Sequence, residues 1–97
     1  MVENMQNKRA LITGSTTGIG QAVAARFARA GATVYVNGRS DERVEDTVDS
    51  LSRLGGRIFG AVGDVGSLEE ADSLYAQVTQ DGPLDILVNN VGIREVR

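Results

Sequence analysis

Apolar positions along the chain follow two alternating rhythms. Short runs of aliphatic and aromatic residues (Ala10-Leu11-Ile12, Val34-Tyr35-Val36, Ile58-Phe59, Ile86-Leu87-Val88) are separated by stretches whose apolar residues recur every three or four positions. The first rhythm predicts strands and the second helices. Residues 8–13 then form a first strand, and a helix runs from Gly18 to about Ala30 with Ile19, Val23, Phe27 and the alanines around them at helical spacing. Gly31 closes it in the manner of a C-cap. Thr33 to Asn37 form a second strand, broken by Gly38.

Ser40 reads as an N-cap, and Asp41 and Glu42 complement the dipole in the first turn that follows. Val44, Val48, Leu51 and Leu54 mark one face of this second helix, which Gly55-Gly56 ends. Residues 57–62 are a third strand. Ser67 and Glu70 have capping-box spacing, in which each side chain satisfies the other's backbone amide. Leu68, Ala71, Leu74, Tyr75 and Val78 carry a third helix to about Gln80; Tyr75 on that stripe reads as a packing residue. After Gly82-Pro83, residues 84–89 make a fourth strand whose unbroken apolar centre predicts burial on both faces.

The order βαβαβαβ, without repeats or low-complexity linkers, predicts an α/β fold with a parallel sheet and right-handed crossovers. A ligand at the first turn implies the strand order 3-2-1-4 of a Rossmann-type, doubly wound sheet. Helices one and two then share one face and helix three lies alone on the other. The fourth strand would be an apolar edge, to be covered by self-association through residues 85–89 or by further chain. The expectation is one incomplete domain over residues 1–97, with a polar extension at 1–7 and a tail at 93–97.

Between the first strand and the first helix lies Thr13-Gly14-Ser15-Thr16-Thr17-Gly18-Ile19-Gly20. A strand that turns through glycines into a helix N-terminus offers free amides and the positive end of a dipole to an anion. The spacing is Gly-x-x-x-Gly-x-Gly, distinct from both Gly-x-Gly-x-x-Gly and the P-loop pattern. The stretch reads as a phosphate cradle, or more plainly as a tight strand-to-helix turn.

Composition narrows the chemistry. The 97 residues include no cysteine and no histidine. This excludes disulfides, thiolate nucleophiles, imidazole bases and the usual zinc ligands, and no metal site is expected. The net charge of −3, with arginines interleaved among acids, gives no basic face for nucleic acid. No apolar run approaches membrane-spanning length and the N-terminus is too polar for a signal peptide, so the expectation is a cytoplasmic protein. Asp41, Glu42, Glu45, Asp46 and Asp49 read as a solvated helix face.

Thr13-Gly14-x-x-x-Gly18-Ile19-Gly20, Asp64-Val65 and Asn89-Asn90-Val91-Gly92, in register on this pattern, resemble the short-chain dehydrogenase/reductase family over residues 8–92. The wording is similar to the 3-oxoacyl-carrier-protein reductase branch and to sugar and steroid dehydrogenases, which are not separable here. The resemblance implies that Gly14, Gly18 and Gly20 shape the turn under a pyrophosphate and that Ile19 contributes its amide. It implies that Asp64 and Val65 hold an adenine, although Asp64 reads equally as a turn residue. Asn90 to Gly92 would line the ribose region, and Asn89 would tie the fourth strand to its neighbours. Val91 stands where the family usually has alanine.

Cofactor type follows from the end of the second strand, where an NAD-preferring enzyme places an acid for the ribose 2′-hydroxyl. Gly38 and Arg39 stand there instead, leaving room for a 2′-phosphate and a guanidinium to hold it. Ser15 is a further candidate donor. NADP(H) is therefore expected over NAD(H), with Thr17 at a position where many NADP-binding relatives carry a second basic residue. A surface role for Arg39 is the plain alternative.

The family's catalytic serine and its tyrosine followed four residues later by lysine have no counterpart among these residues. Tyr35 lies mid-strand, Tyr75 is followed by Thr79, and Lys8 is the only lysine. No catalytic residue is assigned, and the chain alone is expected to be inactive. Two functions are open: the cofactor half of an NADP-dependent carbonyl reductase or alcohol dehydrogenase, or a non-catalytic nucleotide-binding or oligomerising module.

Overall fold

The computed structural model describes residues 4–90. In chain order it contains β1 (Arg9–Ile12), α1 (Gly18–Arg29), β2 (Thr33–Gly38), α2 (Asp41–Ser52), β3 (Arg57–Val62), α3 (Leu68–Val78) and β4 (Ile86–Val88). The strands are parallel, in the order β3-β2-β1-β4. Ala10 is level with Val34 on one side and Ile86 on the other, and Val34 is level with Ile58. This is the Rossmann-type order expected from the sequence.

Because side chains alternate across a strand, each face of the sheet has its own core. Ala10, Ile12, Val34 and Val36 pack with Ala24 of α1 and with Val44 and Leu51 of α2. On the opposite face Leu11 and Ala61 pack with Leu74 and Val78 of α3. Helices one and two thus share a face and helix three stands alone.

The apolar side of α1 is rolled from the expected one. Gly20, Ala24 and Ala28 are its buried positions, Val23 and Phe27 are half-buried, and Ile19 is 75% exposed. Small residues at every fourth position let the helix lie close on the sheet, which turns the larger side chains to the flanks.

The lone helix on the other face covers less than its pattern predicts. Tyr75 is 55% exposed and Leu68 79% exposed, so Tyr75 is not the core residue its spacing suggests. Leu87 of β4 lies level with Leu11 on that face and is 56% exposed. β4 is therefore not buried on both faces as its apolar centre predicts. α3 packs over β3, which leaves Leu87 of β4 more than half exposed.

Local chemistry sets the helix ends. Ser40 Oγ accepts from the Arg43 amide and Ser67 Oγ accepts from the Glu70 amide, both at 3.3 Å. The reciprocal half of the expected capping box is not formed. The Ser67 amide donates to the Asp64 carbonyl at 3.0 Å, and Glu70 Oε1 accepts from the Asp64 amide at 2.8 Å. At the other end of α3, Arg9 Nη2 donates to the Val78 carbonyl at 2.7 Å, a cation at the negative end of the helix dipole. The same guanidinium lies 5.3 Å from the centre of the Tyr35 ring, which stacks on Phe59.

Candidate functional site

The connections leaving the C-terminal ends of β1, β2 and β3 surround a cleft of about 730 Å³. Gly14, Thr16 and Thr17 form one wall. Gly38, Arg39, Ser40 and Arg43 supply a second, and Gly63 to Gly66 a third. In open parallel sheets this is where ligands bind.

The floor is organised by Asn37, which is 1% exposed. Its Oδ1 accepts from the Gly14 amide at 3.0 Å, while its Nδ2 donates to the carbonyls of Ala61 (3.0 Å) and Gly63 (3.1 Å). One side chain thus joins the glycine turn to the end of β3, satisfying one buried and two part-buried backbone groups that would be costly unpaired. Ser15 completes the lock. It is fully buried, its amide donates to the Asn37 carbonyl at 2.8 Å, and its Oγ accepts from the Asn37 amide at 2.9 Å. The Ser15 hydroxyl therefore braces the turn and does not face the cleft, contrary to the donor role considered from the sequence.

At the start of α1 the chain leaves its amides free. Thr17 is the N-cap but its side chain makes no capping bond, and the first turn carries no acid. Among the described residues the amides of Gly18, Ile19 and Gly20 have no partner. α2 and α3, by contrast, are both capped by serine and have two acids each in the first turn. Gly20 lies so close to the turn that an added Cβ would stand 2.4 Å from the Gly14 carbonyl oxygen and 2.8 Å from Asn90 Nδ2. Asn90 Nδ2 itself donates to the Gly14 carbonyl at 3.2 Å, and the Asn90 amide donates to Thr13 Oγ1 at 2.9 Å. Thr13 Oγ1 also lies 3.3 Å from Asn89 Oδ1, so both asparagines tie the end of β4 to the glycine turn.

Gly38 sits where a 2′-hydroxyl-binding acid would stand. A Cβ there would lie 2.7 Å from Thr16 Cγ2 and 3.2 Å from Val44 Cγ2. A carboxylate there would have to displace the Thr16 and Val44 side chains. Arg39 follows as an exposed residue on the cleft wall. Asp64 and Val65 face it from the third connection, with Asp64 Oδ1 accepting from the Gly66 amide at 2.9 Å in a local turn. Gly18, Ile19 and Gly20 follow Thr17 into α1, and Gly92 falls outside the described residues.

Several residues at the site carry no site role in the sequence reading. Thr16, Asn37, Ser40 and Arg43 all line the cleft. For Asn37 there was a signal, a fully polar amide ending an apolar strand, which needs partners if buried. For Arg43 the signal was a cation in the first turn of a helix, where the dipole disfavours it. Among the described residues no group of three or more His, Cys, Asp or Glu could hold a metal ion, and no helix is long and apolar enough to cross a membrane.

Comparison with known proteins places this geometry among related chains. A family model described as short chain dehydrogenase matches residues 8–97. The chain is 45% identical over 93 residues to the uncharacterized oxidoreductase YvrD of Bacillus subtilis, covering 96% of this chain and 35% of that protein. It is 42% identical over 92 residues to the short-chain dehydrogenase/reductase homolog YusS of the same organism, covering 93% of this chain and 84% of YusS. Among solved structures, L-sorbose reductase from Gluconobacter frateurii, complexed with NADPH and L-sorbose, superposes with a TM-score of 0.90 at 35% identity over all of this chain and 38% of that one. The chain spans about a third of the length of several curated relatives it matches, from 34% to 36%.

Proposed function

Since the chain belongs to the short-chain dehydrogenase family, we propose that the cleft binds the nicotinamide dinucleotide NADP(H) in preference to NAD(H). Free α1 amides behind a glycine turn suit a pyrophosphate, and the close approach of Gly20 to Gly14 is the kind of cradle a side chain would fill. Gly14, Thr17, Gly18, Ile19 and Gly20 would hold the pyrophosphate, while Asp64 and Val65 would hold the adenine. Asn90 and Gly92 would lie along the ribose, and Arg39 would hold the 2′-phosphate. The carrying observation is at Gly38, where the acid that would read a free 2′-hydroxyl meets Thr16 and Val44, with Arg39 next in the chain.

When bound, the cofactor supplies or accepts a hydride at a carbonyl or alcohol carbon in the complete reductase. These residues bind and orient it, and none of them stands as the proton donor. The 97-residue chain alone is accordingly expected to bind without turnover, since it carries no Tyr-x-x-x-Lys pair. The match to 84% of YusS favours a second reading, a nucleotide-binding module that works in a short form. The outer edge of β4, with Leu87 exposed beside it, is proposed as a self-association surface.

Thermal melts of the chain with NADPH, with NADH and with neither test the cofactor reading, because a ligand specific for the folded state raises the midpoint by mass action. A larger rise with NADPH is expected. Equal rises would remove the 2′-phosphate from the reading, and no rise with either would remove the site. Hydride transfer to a carbonyl by the pure chain would overturn the expectation of inactivity.

A further inference from the structure

Arg43 lies in the first turn of α2 and lines the cleft with Arg39. Resting on the NADP(H) reading, we propose that Arg43 is a second specificity-determining cation, acting with Arg39 on the 2′-phosphate of the dinucleotide.

The first observation is convergence. Arg39 precedes the cap residue Ser40 and Arg43 follows it within the first turn, and all three line the same cleft. Arg43 also borders a shallower recess of about 270 Å³ with Thr16 and Thr17, on the side of the glycine turn. Arg43 therefore lies at the junction of the β1–α1 turn and the start of α2.

A second observation is availability. Asp41, Glu42, Glu45 and Asp46 are close in sequence, yet among the described residues neither Arg39 nor Arg43 is held in an ion pair or donates a side-chain hydrogen bond. Arg9 shows the contrast, its guanidinium being bonded to Val78. Two uncommitted guanidinium forks beside one cleft can share the oxygens of a doubly charged phosphate, each through charge-assisted hydrogen bonds.

The third observation is local conflict. Asp41 and Glu42 obey the helix dipole, whereas Arg43 places positive charge at the positive end. Local rules of this kind are broken where a site needs the residue. An anion held between Arg43 and the start of α2 removes the conflict.

The experiment is calorimetric titration of the chain and its variants with NADPH, NADH, adenosine 2′-phosphate and adenosine 5′-phosphate. The wild type is expected to favour NADPH and adenosine 2′-phosphate. Arg43→Gln should weaken both by about tenfold, the scale of one lost hydrogen bond to a charged group, with less than about a twofold change for NADH and adenosine 5′-phosphate. Arg43→Lys should recover part of the loss, since charge remains while the fork is gone. Arg43 is exposed, and an unliganded melt at the wild-type midpoint would show that Arg43→Gln still folds. Equal weakening of NADPH and NADH would assign Arg43 to the adenine and overturn the proposal, as would unchanged NADPH affinity. In both cases a retained wild-type preference for NADPH would leave the cofactor reading standing. A wild type that binds the two dinucleotides alike would overturn both.

Discussion

One methyl group at Gly20 has little room to go. Its nearest neighbour would be a backbone oxygen, that of Gly14, at 2.4 Å, and backbone does not step aside as a side-chain tip does. Gly20→Ala is therefore expected to push the start of α1 off the glycine turn. The cost is about 1–3 kcal/mol, the range for overpacking a close contact, and the rise in melting midpoint with NADPH should disappear. A variant that melts at the wild-type temperature and keeps its ligand response would mean that the turn absorbs the methyl. The glycine pattern was readable along the chain because it is local. The partners of Asn37 and Thr16 were not, since they lie on segments more than twenty residues away: Gly14 and Gly63 for Asn37, and Gly38 for Thr16.

Among the elements, α3 shows how a correct local signal settles into a different arrangement. Ser67 caps the helix, so Ser67→Ala should lower stability by about 1 kcal/mol in a thermal melt. Glu70 does not return the bond to Ser67 and instead accepts from Asp64, holding a cleft-lining loop. Glu70→Ala is then expected to speed hydrogen exchange at the Asp64 amide and leave the Ser67 amide, bonded to the Asp64 carbonyl, less affected. Faster exchange at Ser67 with Asp64 unchanged would restore the reciprocal box. The far end of α3 is held by Arg9, reaching from β1 to the Val78 carbonyl. The sequence shows Arg9 only as a charge beside an apolar run.

For the molecule as a whole, the unequal coverage of the two faces matters most. α1 and α2 close one face over Ala10, Ile12, Val34 and Val36. The other face carries α3 alone and leaves Phe59, Tyr75 and Leu87 between 42% and 56% exposed. β4 is an outer strand pairing only with β1 among the described residues. An unpaired apolar edge of this kind invites a further strand. Light scattering across a wide concentration range is expected to show a mass above the monomer, and Leu87→Lys to shift it towards the monomer. A monomeric wild type at every concentration would rule out self-association through this edge.

The sequence alone determined the element order, the serine caps, the glycine turn and, through the strand and loop motifs, the sheet order 3-2-1-4 and the family. These rest on periodicity and on residues that act within a few positions of themselves. Only the tertiary structure decided that Ser15 is spent on Asn37, that a side chain at Gly38 would meet Thr16, that Tyr75 and Leu87 face outward, and that Arg43 joins Arg39 at the cleft. Each of these depends on how closely two distant segments approach and on which face of the sheet a helix covers, quantities that appear only once the strands are laid side by side.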